Sequence, residues 1–151
     1  MLDADLRELL KLLTAHHVDF MVVGGHAVAF HGYPRLTDDV GVLVRPTSEN
    51  AGRILAALAE FVFGNIGLTV GDFTADDRVI QLGRDPNRID LLTRLWGVDF
   101  DQAWDRRLSG TLDSVPVAIL SRADLLTNKR ATGRPQDLAD IAALEALERE
   151  N

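Results

Sequence analysis

FMVVGGHAVAFHGYPRLTDDVGVLV, residues 20–44, decides how the rest of the chain is read. Phe20–Val23 is a short apolar run that reads as a buried strand, Gly24-Gly25 interrupts it, and His26–His31 reads as a short helix. A turn carrying Gly32 and Pro34 follows, and Val40–Val44 is a second strand, entered through Asp38 and Asp39. A glycine pair between a strand and a helix lets a phosphate approach backbone N–H groups, and the helix N-terminus adds partial positive charge there. An aspartate at the mouth of the neighbouring strand can hold a divalent metal against that phosphate.

The bulk properties agree with a folded domain built around such a stretch. The 151 residues suit a single domain with a real core, and 46% apolar with 26% charged residues excludes a disordered chain. No run approaches the roughly 18 apolar residues of a membrane span. The N-terminal MLDADLRELL carries acids where a signal peptide carries bases, so the expected compartment is the cytoplasm, with no membrane partner. The absence of cysteine excludes disulfides and thiolate metal sites. A net charge of −7 argues against general DNA or RNA coating and leaves room only for a local basic patch.

Working outward, the leucines from Leu2 to Leu13 recur at helical spacing and predict an amphipathic helix over 3–16. Thr47 or Ser48 caps a helix that buries Ile54, Leu55, Leu58 and Phe61 and ends near Gly64. Residues 65–77 read as loop, with at most a short strand or turn. Residues 78–82 and 88–92 alternate as two strands of a hairpin joined by Gly83–Asn87. A short helix over 101–108 and a strand over 115–120 follow. Ser121 caps a helix over 122–132 that Gly133 stops, and Pro135 starts the last helix, to about Arg149. The expected fold is α/β, or α+β in stricter usage. It has a small mixed, mostly antiparallel sheet, flanking helices and a C-terminal helical pair. One domain covers 1–151, with a sheet-bearing core to about 110 and a helical lobe over about 111–151.

Nucleotidyl transfer needs divalent ions to activate the attacking oxygen and to neutralise the leaving pyrophosphate. Magnesium wants carboxylate oxygens in octahedral geometry. Two aspartates at i and i+2 of a strand point to one face, and a third on an adjacent strand completes the cage. The expected pattern is Gly-Gly, a helix, Asp-x-Asp, and later a strand aspartate between apolar residues. Here Gly24-Gly25, Asp39 and Ile89-Asp90-Leu91 supply all of it but the second aspartate. Together with VVGGHAVAFHGYPRLT, VIQLGRDPNRIDLLT, GVDFDQAW and NKRATGRPQDLADI, it makes the chain resemble the nucleotidyltransferase superfamily of the DNA polymerase beta type. More narrowly it resembles small bacterial proteins related to AbiEii-type toxins and minimal nucleotidyltransferases, over nearly the whole chain. The resemblance implies that Gly24 and Gly25 contact phosphate, that Asp39 is a metal ligand, and that Asp90 is a ligand or the base for the incoming hydroxyl. It also implies magnesium as cofactor, a nucleoside triphosphate as substrate, and a tRNA end or a protein side chain as acceptor.

The chain departs from the pattern at one position. Gly41 stands where the second aspartate falls, and alternation aims Asp38 at the opposite face unless a bulge brings it round. Glycine within a strand costs about 0.5–1 kcal/mol against alanine, so stability does not account for it. A natural loss of activity and a replaced residue both fit. Either way, a poor catalyst or an inactive relative acting as a toxin–antitoxin or regulatory partner is expected. Other residues have two readings. Arg35 and Thr37 either touch phosphate or belong to an exposed turn. Lys129 either approaches a nucleotide phosphate, as the resemblance implies, or completes a helix C-terminus. Asp137 fits a structural pairing with Arg134. Trp96 fits a core or rim role better than base stacking, and His26 and His31 are too far apart on a helix to share a metal.

Overall fold

The computed structural model describes residues 4–35, 37, 39–61, 67–83 and 88–150. The leucine stripe forms α1 (Ala4–Ala15), which buries Leu6, Leu9, Leu10 and Leu13. Four fully buried residues make β1 (Phe20–Val23), and α2 (Gly24–Phe30) begins directly at the glycine pair. β2 (Asp39–Val44) runs back along β1, with Phe20 opposite Val44 and Val23 opposite Gly41. α3 (Ser48–Ala59) starts where Thr47 Oγ1 accepts from the Asn50 backbone N–H at 3.3 Å, and it packs against α1. β3 (Val79–Leu82) and β4 (Arg88–Leu92) pair antiparallel. α5 (Phe100–Arg106) and the strands β5 (Leu108–Leu112) and β6 (Val115–Ile119) follow. The chain closes with α6 (Arg122–Thr132) and α7 (Pro135–Glu150), and Gly133 between them takes the left-handed conformation that ends α6.

All six strands belong to one sheet, in the order β3-β4-β2-β1-β6-β5. The pairings β1–β2, β3–β4 and β5–β6 are antiparallel, while β1–β6 and β2–β4 are parallel. The sheet is therefore mixed and mostly antiparallel, as expected. Its centre carries long apolar side chains: Met21, Val42, Ile89 and Leu91 are all buried to the last per cent. Residues with alternating order face opposite sides. So Val40, Val42, Ile89 and Leu91 form one apolar face, while Asp39, Gly41 and Asp90 share the other. Among the described residues, no helix is long and apolar enough to cross a membrane.

Two elements differ from the sequence expectation. Residues within 65–77 contain a short helix, α4 (Val70–Thr74), whose Asp72 carboxylate accepts from the Thr69 backbone N–H at 2.8 Å. That capping box is present in the sequence, but one helical turn is too short to show periodicity. β5 was not expected because its residues are mostly exposed and it lies at the sheet edge. It joins β6 through Asp113 and Ser114, both with positive φ (50° and 73°), a tight turn made without the Asn-Gly or Asp-Gly that signals it. The expected end of α3 near Gly64, the hairpin residues 84–87 and Asp38 lie outside the described residues.

Candidate active site

The site begins where β1 ends. Gly24 has φ +69°, which a side chain disfavours, so the sharp entry into α2 depends on glycine. At Gly25 the constraint is space: a Cβ there would lie 2.9 Å from both Cβ and Oγ1 of Thr37. Glycine lets the segment before β2 fold against the start of α2. Thr37 then donates through Oγ1 to the Asp39 backbone oxygen at 3.2 Å and to Asp39 Oδ1 at 3.4 Å. The residues expected to meet phosphate thus include one, Thr37, whose hydroxyl braces the first carboxylate.

The strand register then assembles the carboxylates. On the parallel β2–β4 ladder Asp39 stands beside Arg88 and Gly41 beside Asp90, while β3 places Gln81 beside Asp90 on the other side. Arg88 sits between the two acids. Its Nε donates to Asp90 Oδ1 at 2.9 Å and one terminal nitrogen to Asp90 Oδ2 at 3.2 Å. That same nitrogen lies 3.6 Å from Asp39 Oδ2. Burial, followed by a hydrogen bond shared with the Asp39 carboxyl, pushes the Asp90 carboxyl above its ordinary range, while Arg88 pulls the other way. His26, the first residue after the glycine pair, belongs to this group too. Burial lowers its proton affinity, and the Asp39 charge partly offsets that. Its place after Gly24-Gly25 was the available sequence signal.

Gly41 occupies the third position of the acidic face. A Cβ built there would stand 3.1 Å from Cγ2 of Val23 and 3.5 Å from the Val23 carbonyl oxygen. A side chain therefore fits if Val23 gives by a few tenths of an ångström. The register leaves position 41 beside Asp90 and two residues along the strand from Asp39, so Gly41 is where a third carboxylate would complete the face.

Two neighbouring carboxylates fit one magnesium ion, which is commonly held by one or two acids together with phosphate oxygens and water. They do not fit a set of three protein acids: among the described residues no group of three or more His, Cys, Asp or Glu stands ready to hold a metal. Asp39 and Asp90 would be the ligands of a single ion, and Arg88 now shares both.

A second group of charges gathers on α6 and α7 around Asp140 and Asp137. Asp140 is fully buried and accepts from Arg35 Nε and a terminal nitrogen, both at 2.9 Å, and from Gln136 Nε2 at 3.0 Å. Lys129, 4% exposed, lies 3.0 Å from Asp140 and 3.4 Å from Asp137. Asp137 also accepts from Thr132 Oγ1 at 2.6 Å, from the Arg134 backbone N–H at 3.0 Å and from Arg134 Nε at 2.9 Å. The structure thus places Arg35 and Lys129 against carboxylates of α7, and it pairs Asp137 with Arg134 as the sequence suggested. Burial raises the Asp137 and Asp140 carboxyls. The hydrogen bonds from Arg134 and Thr132 on one, and from Arg35, Lys129 and Gln136 on the other, outweigh it, holding Asp137 well below the ordinary carboxylate range and lowering Asp140 as well.

The pH consequence has a definite sign. Carboxyls depressed in the folded state contribute stability above their unfolded pKa, and that contribution disappears as pH falls through the folded values. Asp90, raised in the folded state, acts oppositely: its cost above the ordinary range is relieved on acidification. With Asp124 also depressed by Arg106 and Ser121 against its burial, the lowered group dominates. Urea midpoints are expected to slip slightly from pH 7 to about 5, where the unfolded chain takes up the proton that partly buried His26 resists, and to fall progressively below about pH 4. A midpoint that rises on acidification would contradict this.

No protein-family model matches the chain, and no curated protein matches its sequence. Among solved structures, a Thermotoga maritima protein whose assignment as a nucleotidyltransferase is provisional matches with a TM-score of 0.57. The match covers 97% of this chain and 91% of that one, at 17% identity. The fold is nucleotidyltransferase-like. At that identity the likeness extends to the backbone path and not to the activity. It is the fold that the resemblance of the four sequence stretches implies.

Proposed function

We propose that this protein binds a nucleoside triphosphate with magnesium on the face carrying Asp39 and Asp90, and that it transfers a nucleoside monophosphate to an acceptor hydroxyl at a rate reduced by Gly41. The observation that carries this is the β2–β4 register, which sets Asp39, position 41 and Asp90 on one face beside the glycine turn. When bound, magnesium would neutralise phosphate charge and polarise the phosphoryl oxygen. The chain's own residues supply the rest. Backbone at Gly24 and Gly25 leaves room for a phosphate, and Thr37 fixes the Asp39 carboxylate through its hydroxyl. Asp90, buried and proton-hungry, receives the acceptor's proton as its oxygen bonds to the α-phosphorus. The bond from that phosphorus to the bridging oxygen breaks, and pyrophosphate leaves. A tRNA end or a protein side chain is the proposed acceptor class.

Incubation with each α-labelled triphosphate, magnesium, and either bulk tRNA or a protein mixture tests the proposal. Slow labelling of one acceptor class is expected, reduced at least about 100-fold in Asp90→Asn, which keeps the shape and removes the base. Labelling equal in wild type and Asp90→Asn would overturn it.

A second reading has its own support. Arg88 already engages both acids, and Gly41 removes a third, so the face can persist without metal. On this reading the protein is an inactive relative kept as a binding partner, as in a toxin–antitoxin pair, and neither labelling nor triphosphate binding occurs.

A further inference from the structure

The face that carries Asp90 continues beyond it. Strand alternation puts Leu92 on the same side as Asp90, and the β3–β4 register puts Val79 beside Leu92 as Gln81 is beside Asp90. Two residues of strand advance about 6.5–7 Å, roughly the distance from a phosphate to the middle of its nucleoside. Beside Val79 and Leu92 the sheet and the end of α6 line an open groove of about 490 Å³, whose walls also carry Trp96, Asn128, Asp77, Arg94 and Arg134.

Its floor is apolar and open. Val79 and Trp96 are each 50% exposed, so two large apolar residues meet in one groove instead of being scattered. Asn128 Nδ2 donates to the Trp96 backbone carbonyl oxygen at 2.9 Å and anchors the main chain there, and the Arg94 guanidinium lies 4.3 Å from the indole centroid. Arg94 is 41% and Arg134 72% exposed, and each is paired on one edge with an acid, Arg94 with Asp76 and Arg134 with Asp137. A flat ligand that is aromatic, polar at its edges and joined to an anion matches a floor of Trp, Val and Leu beneath arginines.

We infer that this groove is a nucleobase subsite, with Trp96 as its stacking platform, for a nucleotide whose phosphate lies at Asp39 and Asp90. The inference rests on the transferase reading of the carboxylate face. The base belongs either to the triphosphate or to the terminal nucleoside of an RNA acceptor, and one set of titrations separates these.

Tryptophan emission is followed while ATP, GTP, CTP, UTP, inorganic tripolyphosphate or a short single-stranded RNA is added with magnesium. In parallel, calorimetry measures affinity for wild type, Trp96→Ala and Trp96→Phe. Quenching by a base-bearing ligand and not by tripolyphosphate is expected, lost in Trp96→Phe, which keeps a ring. Trp96→Ala is expected to weaken that ligand about tenfold and leave tripolyphosphate affinity unchanged. Quenching by triphosphates assigns the base to the donor, and quenching by RNA alone assigns it to the acceptor. If Trp96→Ala binds every base-bearing ligand as wild type does, the subsite is overturned while the transferase reading stands. If wild type binds neither triphosphate nor tripolyphosphate, that reading fails and takes the subsite with it. Circular dichroism of both variants confirms folding, and the Phe variant preserves the test should the Ala variant unfold.

Discussion

Gly41→Asp is expected to bind magnesium with triphosphate about 100-fold more tightly than the wild-type chain and to transfer nucleotide at a readily measured rate. The loss of a group that merely orients a metal ligand costs about 10–100-fold, and a direct ligand counts for more. The β2–β4 ladder sets the new carboxylate beside Asp90, on the face that Asp39 occupies. The steric cost is local: the new Cβ meets Val23 Cγ2 at 3.1 Å, and Val23 is buried. Tight contacts of this kind cost about 1–3 kcal/mol, partly offset by the roughly 0.5–1 kcal/mol gained on removing a strand glycine. Gly41→Asn is the control, because it carries the same bulk without the charge. Isothermal titration and the labelling assay read the outcome. Equal affinities for the Asp and Asn variants would mean that position 41 is not part of a metal site.

The second large effect concerns stability. Asp140→Ala is expected to destabilise the fold by about 3–5 kcal/mol, the usual consequence of removing one member of a buried ion pair. The change takes the bidentate partner from Arg35 and the nearer of two carboxylates from Lys129, a side chain only 4% exposed in the wild-type fold. For a domain whose total stability is typically about 5–15 kcal/mol, the urea midpoint should drop by a large fraction. Asp140→Asn, which keeps hydrogen-bonding atoms, should fall between. The cluster joins α6 and α7 to Arg35, so the same variant should also loosen the segment that carries Thr37 and Asp39. An unchanged urea midpoint, with a change confined to triphosphate affinity, would show that Lys129 and Arg35 serve a ligand and not the fold.

Most of the scaffold was legible because its signals are local and redundant. The leucine stripe of α1, the apolar run of β1, the Thr47 and Ser121 caps and the Gly133 stop each state an element within a few residues. β5 was not legible because an exposed edge strand needs no alternation, and its turn uses Asp113 and Ser114 in an uncommon backbone. For the candidate site, alternation along β2 sufficed to put Asp39 and position 41 on one face. Their neighbours across the sheet depend on register, which no single strand records. That is why the sequence alone gives no sign that Arg88, two residues from Asp90 in the chain, stands beside Asp39 across the ladder. The partners of Lys129 were hidden for a related reason. Asp137 could be matched to Arg134 along the helix, but the approach of Asp140 to both Lys129 and Arg35 requires the packed helices.

The central claim is that the face carrying Asp39 and Asp90 binds a metal-associated triphosphate. Calorimetric titration of each nucleoside triphosphate with magnesium into the wild-type chain and into an Asp39→Asn/Asp90→Asn double variant tests it most directly. Saturable, magnesium-dependent binding to the wild-type chain, abolished in the double variant, is the predicted result. Absence of binding to the wild-type chain, or equal binding to both, would contradict it.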